Sequence, residues 1–143
     1  MRARRRGIAV LARRRPLAVC PVSGPTVISD DFGAPRWDRG VYHAHQGNDI
    51  AAAFGAPILA PFDGFAAASS SDLGGLTVQI SGPLGYAVNV HLSRLGRLGR
   101  VRVGTIVGYV GTSGNATGPH DHFEWHPVGG PAADPHDLLM QVC

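Results

Sequence analysis

A chain of 143 residues, 44% hydrophobic and with 20 glycines, has the length of one domain and the composition of a compact, turn-rich fold, which excludes a disordered chain. Its formal charge of +3 is unevenly spread: seven of the 13 arginines lie in the first 15 residues, lysine is absent, and residues 16–143 set six arginines against all ten acids, a formal charge of −4. A mildly acidic domain behind a basic segment argues against a nucleic-acid partner for the folded part.

Residues 1–19 read as a disordered Arg-rich tail, in which two arginine clusters flank the apolar stretch Gly7 to Ala12. That stretch is far below the ~20 residues of a membrane-spanning helix, so no transmembrane span is expected. It also falls short of the roughly 7–15 apolar residues of a secretion signal. The export signal is therefore incomplete, either a remnant of an export region or the result of a poorly chosen start. Residues 20–143 form the expected domain, bounded by Cys20 and Cys143. Their spacing is not that of a metal pair, which leaves two free thiols or one bridge joining the ends. A bridge closing so long a loop would contribute on the order of 4–5 kcal/mol in the chain-entropy treatment. The loop argument favours the bridge, which would place the protein in an oxidising compartment.

From Cys20 to Gly40, proline and glycine punctuation predicts a structured loop, including Pro35-Arg36-Trp37. In the following segment, His45 and Asp49 stand four apart, but Gly47-Asn48 is turn chemistry, so a loop feeding a strand at Asp49 is expected rather than a helix. Residues 56–110 have the rhythm of short strands. Leu76 to Ile80 alternates apolar and polar side chains, and in Tyr86 to Leu92 the alternation predicts Val88, Val90 and Leu92 on one face with Asn89 and His91 on the other. Ile106 to Val110 resumes a strand, and Gly111 to Gly118 is a flexible loop.

That loop leads into His120-Asp121-His122-Phe123-Glu124-Trp125-His126. In a strand, His120, His122, Glu124 and His126 would share one face, and Asp121, Phe123 and Trp125 the other. Two imidazoles two residues apart can serve one centre, one on a metal and one beside it. At the end of the chain, Asp134-Pro135-His136-Asp137 reads as an N-cap, a first-turn proline and one short terminal turn of helix. Strand follows strand with a turn every ten or so residues, so the fold class is all-β, antiparallel sheets packed as a sandwich or barrel. Nucleotide-binding glycine patterns and a serine elbow are missing, which narrows catalysis to histidine, carboxylate and metal.

In order, the polar set is His45 and Asp49, then His91, then His120 and His122. Together with Asp31-Phe32-Gly33, Ala60-Pro61-x-Asp63-Gly64, His91-Leu92-Ser93, Gly114-Asn115-x-Thr117-Gly118-Pro119 and Asp134-Pro135, this set resembles the lysostaphin-type and LytM-type zinc metallopeptidases. These are peptidoglycan endopeptidases with a duplicated hybrid motif fold. The resemblance implies that His45, Asp49 and His122 hold one Zn2+ ion, that His91 and His120 are the catalytic histidines, and that the substrate is peptidoglycan peptides. It also implies an extracellular or cell-envelope protein, and a monomer is expected. Spacing does not say which of His91 and His120 is the base. Three ligands and a water suit hydrolytic zinc, and imidazoles suit proton transfer near neutral pH.

The competing class is a non-catalytic relative that binds the wall or activates another hydrolase. Such relatives typically lose ligands, whereas all five positions are filled here. Glu124 is placed to support a ligand imidazole, and Tyr42 to steady a tetrahedral intermediate. His43, His126 and His136 read as structural or surface residues. Three positions depart from the family pattern. Asn89 stands where a tyrosine is common, which predicts an altered substrate wall; Ala116 replaces a small hydroxyl residue; and Asp121 occupies an apolar position, where a carboxylate must find a partner or cost free energy.

Overall fold

The computed structural model of the chain describes residues 15–38 and 40–143. The tail expected over residues 1–19 lies outside these for residues 1–14. Its last residues correct the expected boundary: Leu17 is fully buried in the core, and the Ala18 N–H donates to the Pro61 carbonyl at 2.8 Å. A lone leucine carries no periodicity to read, yet burying it stabilises the fold by ~2 kcal/mol, enough to hold that stretch against the domain.

The described residues form twelve strands and one helix: β1 (Val27–Ile28), β2 (Pro35–Asp38), β3 (Val41–Ala44), β4 (Asn48–Ala51), β5 (Pro57–Leu59), β6 (Gly64–Ser71), β7 (Gly75–Gly82), β8 (Gly85–Leu92), β9 (Arg94–Leu95), β10 (Gly99–Val101), β11 (Ile106–Tyr109), β12 (His120–Pro127) and α1 (His136–Val142). They build a seven-stranded sheet in the order β1-β4-β12-β8-β7-β6-β10, a three-stranded sheet β5-β11-β9, and the hairpin β2-β3. Each of these pairings is antiparallel. The all-β expectation holds, and the two larger sheets share one core in which Ile58 and Val107 meet Ile50, Val78, Ile80, Ala87 and Phe123.

Several elements were not legible. Strand β1 and the hairpin β2-β3 lie in what reads as loop, and the exposed side chains of β3 show no apolar alternation. Strand β6 is a run of alanine and serine with weak strand preference; pairing with β7 on one side and β10 on the other makes it a strand regardless.

On β12 the expected alternation is observed: Asp121, Phe123 and Trp125 are buried toward the core, and His120, His122, Glu124 and His126 occupy the other face. Cys20 and Cys143 form a disulfide across 123 residues, tying the start of the domain to the end of α1. The N-cap falls on Pro135 rather than on Asp134 and makes no side-chain cap bond; Asp134 Oδ1 accepts from the His136 N–H at 3.0 Å, and the helix runs for seven residues rather than one turn. No helix among the described residues is long and apolar enough to cross a membrane.

Candidate metal centre

The register of the large sheet assembles the site. Asp49 on β4 is directly opposite His122 on β12, and His122 is opposite Val90 on β8. Their side chains therefore rise from the same face, at the separation of cross-strand neighbours. His45 enters from the residue after β3, with its N–H on the Ala34 carbonyl at 2.8 Å and its carbonyl accepting from Gly33 N–H at 2.7 Å. Between them, Gly47 passes so close to β12 that a Cβ there would lie 2.1 Å from the Phe123 carbonyl oxygen. Only a residue without a side chain lets the chain cross at that height and set His45 over His122.

Three donor atoms meet at this point. His45 Nε2 lies 3.0 Å from His122 Nδ1 and 3.4 Å from Asp49 Oδ1, and His122 Nδ1 lies 3.3 Å from Asp49 Oδ1. Tetrahedral zinc with bonds of 2.0–2.2 Å separates its ligand atoms by about 3.3 Å, so two nitrogens and one carboxylate oxygen at these spacings fit such an ion. The outer nitrogens are already engaged. His45 Nδ1 faces the Asp31 carbonyl and Oδ1, each at 3.3 Å, and His122 Nε2 faces Glu124 Oε2 at 2.8 Å. Since those oxygens only accept, each outer nitrogen keeps its proton, and the inner nitrogens are the ones that would give up theirs to become lone-pair donors when a metal binds.

His91 reaches the same face through an irregularity. Between Asn89 and Leu92, β8 advances three residues while its partner β7 advances two, from Val78 to Leu76. His91 is the added residue, with φ at 70°, and it is the one non-glycine residue at positive φ among those described. A bulge of this kind re-aims a side chain. His91 thereby stands beside His120, ring centroids 4.9 Å apart, and 6.3 Å from His122. Its Nδ1–H donates to the Ser113 carbonyl at 2.8 Å, and His120 Nδ1–H donates to the Gly118 carbonyl at 2.8 Å. In both rings Nε2 is left as the free nitrogen. All five residues line one cleft of about 560 Å³.

Residues 43–135, well over half of the chain, match peptidase family M23. The chain belongs to this family. The M23 chain is 39% identical to the peptidoglycan DD-endopeptidase ShyC of Vibrio cholerae over 104 residues, 68% of this chain and 24% of that protein. A mutant catalytic domain of the prophage-encoded M23 protein EnpA from Enterococcus faecalis is 35% identical, with a TM-score of 0.66 covering 83% of this chain and 95% of that one. The catalytic domain of the antimicrobial peptidase lysostaphin from Staphylococcus simulans is 26% identical, with a TM-score of 0.70 over 80% and 92%. The chain spans about a fifth to a quarter of the length of the curated relatives it matches first.

Burial and charge set the electrostatics of this M23 site. Burial alone would raise the Asp49 carboxyl, but hydrogen bonds from His122 and His45 and the field of His120 outweigh it and hold the group well below the usual carboxylate range. Burial would lower His122, yet its bonds to Asp49 and Glu124 push it up to about 9 in the metal-free protein. Glu124 is held low because His122 and His126 outweigh its own burial. For His91, burial wins: together with the charges of His120 and His122 it lowers the imidazole below its ordinary value, against the Ser113 hydrogen bond.

Two expectations about side chains are corrected. Asn89 is not a wall of the cleft: the bulge leaves it on the core face, fully buried, with neither amide atom bonded, while Val88 and Val90 face the site side. Tyr42 does not itself line the cleft: it packs edge-on against Trp37, which does, with centroids 5.3 Å apart. Three supporting residues went unassigned from sequence. Asp31 braces His45, Ser29 Oγ accepts from the Asp49 N–H at 2.8 Å, and Ser113 orients His91 while its Oγ donates to the Leu92 carbonyl at 2.6 Å. Of these, only Asp31 carried a signal, in Asp31-Phe32-Gly33.

Proposed function

We propose that the chain is a zinc-dependent endopeptidase that hydrolyses peptide bonds of bacterial cell-wall peptidoglycan, with His45, Asp49 and His122 as the ligands of one zinc ion and His91 and His120 as the catalytic histidines. The observation that carries this reading is the meeting of His45 Nε2, Asp49 Oδ1 and His122 Nδ1 within 3.4 Å of one another, in a cleft also lined by the two remaining histidines. A zinc ion held there would polarise the scissile carbonyl and bring the pKa of a water molecule to about 7.

The chain's own residues supply the proton handling. His91 is kept neutral by burial, and with Nδ1 tied to Ser113 it presents Nε2 as an acceptor for the proton of the attacking water. His120, its Nδ1–H likewise tied to Gly118, presents Nε2 at 3.6 Å from Asp49 Oδ1 and, in its doubly protonated form, is placed to deliver the Nε2 proton to the leaving amine, returning to the neutral ring. Asp49 stays ionised through the physiological range, as a charged ligand must. The disulfide fits an oxidising extracellular or envelope location, and the naming of ShyC as a peptidoglycan DD-endopeptidase supports the substrate class.

The test is direct. The purified chain should bind about one zinc, as a three-ligand site implies, and release peptides from cell walls in a chelator-sensitive way, with the bond read by mass spectrometry. His122→Ala should lose the metal. His120→Ala should keep it and lose turnover by about 10²–10⁴-fold, the range for general acid–base groups. Zinc bound without any peptide release would assign the chain to a wall-binding or activating role, and retention of both zinc and activity by both variants would overturn the residue roles.

A further inference from the structure

The hydrogen bonding of His122 does not end at Glu124. While Glu124 Oε2 accepts from His122 Nε2 at 2.8 Å, its other oxygen, Oε1, accepts from His126 Nε2 at 2.7 Å. His126 in turn lies flat on Tyr86, with ring centroids 4.3 Å apart and planes 8° from parallel. The arrangement follows from β-structure: His122, Glu124 and His126 stand at two-residue steps on one face of β12, and Tyr86 is the residue directly opposite His126 on β8. The three side chains of β12 are 14%, 18% and 13% exposed, so the row is shielded from solvent.

We propose that His126 is a positioning residue for the metal centre: seated on Tyr86, it holds Glu124 against His122 Nε2 and so keeps His122 Nδ1 turned toward His45 and Asp49. The inference rests on the reading of His45, Asp49 and His122 as zinc ligands. An imidazole can ligate through either nitrogen, and what selects one is the partner of the other. Glutamate has three side-chain torsions, so one hydrogen bond to a ring that itself rotates does not immobilise it. A second anchor on the opposite carboxylate oxygen removes that freedom, and the stack on Tyr86 removes it from the anchor. The backbone ladder between β12 and β8 is independent of these contacts, so their loss would register at the metal before the fold.

Zinc affinity of the full chain, measured by competition with a chromophoric chelator, tests this, with circular dichroism and thermal melts confirming that each metal-free variant is folded. Glu124→Gln should weaken zinc about 10–100-fold, the range for partners of ligating groups, and His126→Ala about tenfold, at its lower end. His126→Gln, which restores an N–H donor of similar reach, should recover most of that loss. The double variant Glu124→Gln/His126→Ala should bind no more weakly than Glu124→Gln alone, because both act through one path. Tyr86→Ala, which leaves every hydrogen bond of the row available, should weaken zinc in the same direction as His126→Ala. A folded His126→Ala or Tyr86→Ala with affinity within about twofold of the parent, or additive losses in the double variant, would overturn the proposal. Failure of the parent chain itself to bind zinc would instead sink the ligand assignment on which it rests.

Discussion

Replacing Asp121 by Asn is expected to stabilise the metal-free protein at neutral pH, by an amount that depends on pH in a defined way. Asp121 is fully buried on the core face of β12; Oδ1 accepts from the Val90 N–H at 3.3 Å, and Oδ2 has no partner. Burial pushes its carboxyl from 3.8 up to about 8, against a smaller opposing pull from His122. Between those values the folded protein holds a proton that the unfolded chain has released, so folding stability falls as pH rises from about 4 and levels off above about 8. Each pH unit costs about 1.4 kcal/mol, so the penalty reaches about 4 kcal/mol at pH 7. That is large against a typical domain stability of about 5–15 kcal/mol. Asn keeps an oxygen for the Val90 N–H and does not titrate. Urea unfolding of both proteins in chelator, from pH 5 to 8, should show the variant's advantage growing by about 1.4 kcal/mol per unit. The titrations of Asp49, His122 and Glu124 occur in both proteins and largely subtract. An advantage that stays constant across this window would refute the reasoning.

Metal binding should also release protons. His122 is raised to about 9 in the metal-free protein, so a metal taking its Nδ1 lone pair must displace about one proton at pH 7. Apparent zinc affinity should rise about tenfold per pH unit from 7 to 9 and then flatten, and calorimetry in buffers of differing ionisation heat should count the proton; no release would contradict the hydrogen bonding described for His122. Opening the Cys20–Cys143 bond by Cys143→Ser frees a loop spanning 123 residues. The expected loss is about 2–5 kcal/mol, a fall of about 8–20 °C in the melting temperature, and a melt unaffected by the substitution would show that the link adds nothing.

The alternation on β12 was legible because a period of two is a local property: imidazoles and Glu124 at even positions, Phe123 and Trp125 at odd ones, need only an extended backbone to separate. The five candidate site residues were legible through their motif spacing. Tyr86 to Leu92 misled because apolar residues occupy both of its faces, so alternation alone cannot say which one is inside. Asn89 went into the core, and His91 turned outward with an added residue against β7. The partnership of His126 with Glu124 was equally invisible, since a histidine four residues beyond a ligand has no local mark of its use.

By itself, the sequence determined that the chain forms antiparallel strands and which side chains make up the candidate site, because periodicity, turn residues and donor type are written in short stretches. Only the tertiary structure decided that Asp49 faces His122 across 73 residues, that a bulge delivers His91, and that a carboxylate lies buried beneath the histidines. Register and bulge position are set by pairing with strands distant in the chain, and no stretch of sequence contains its own partner.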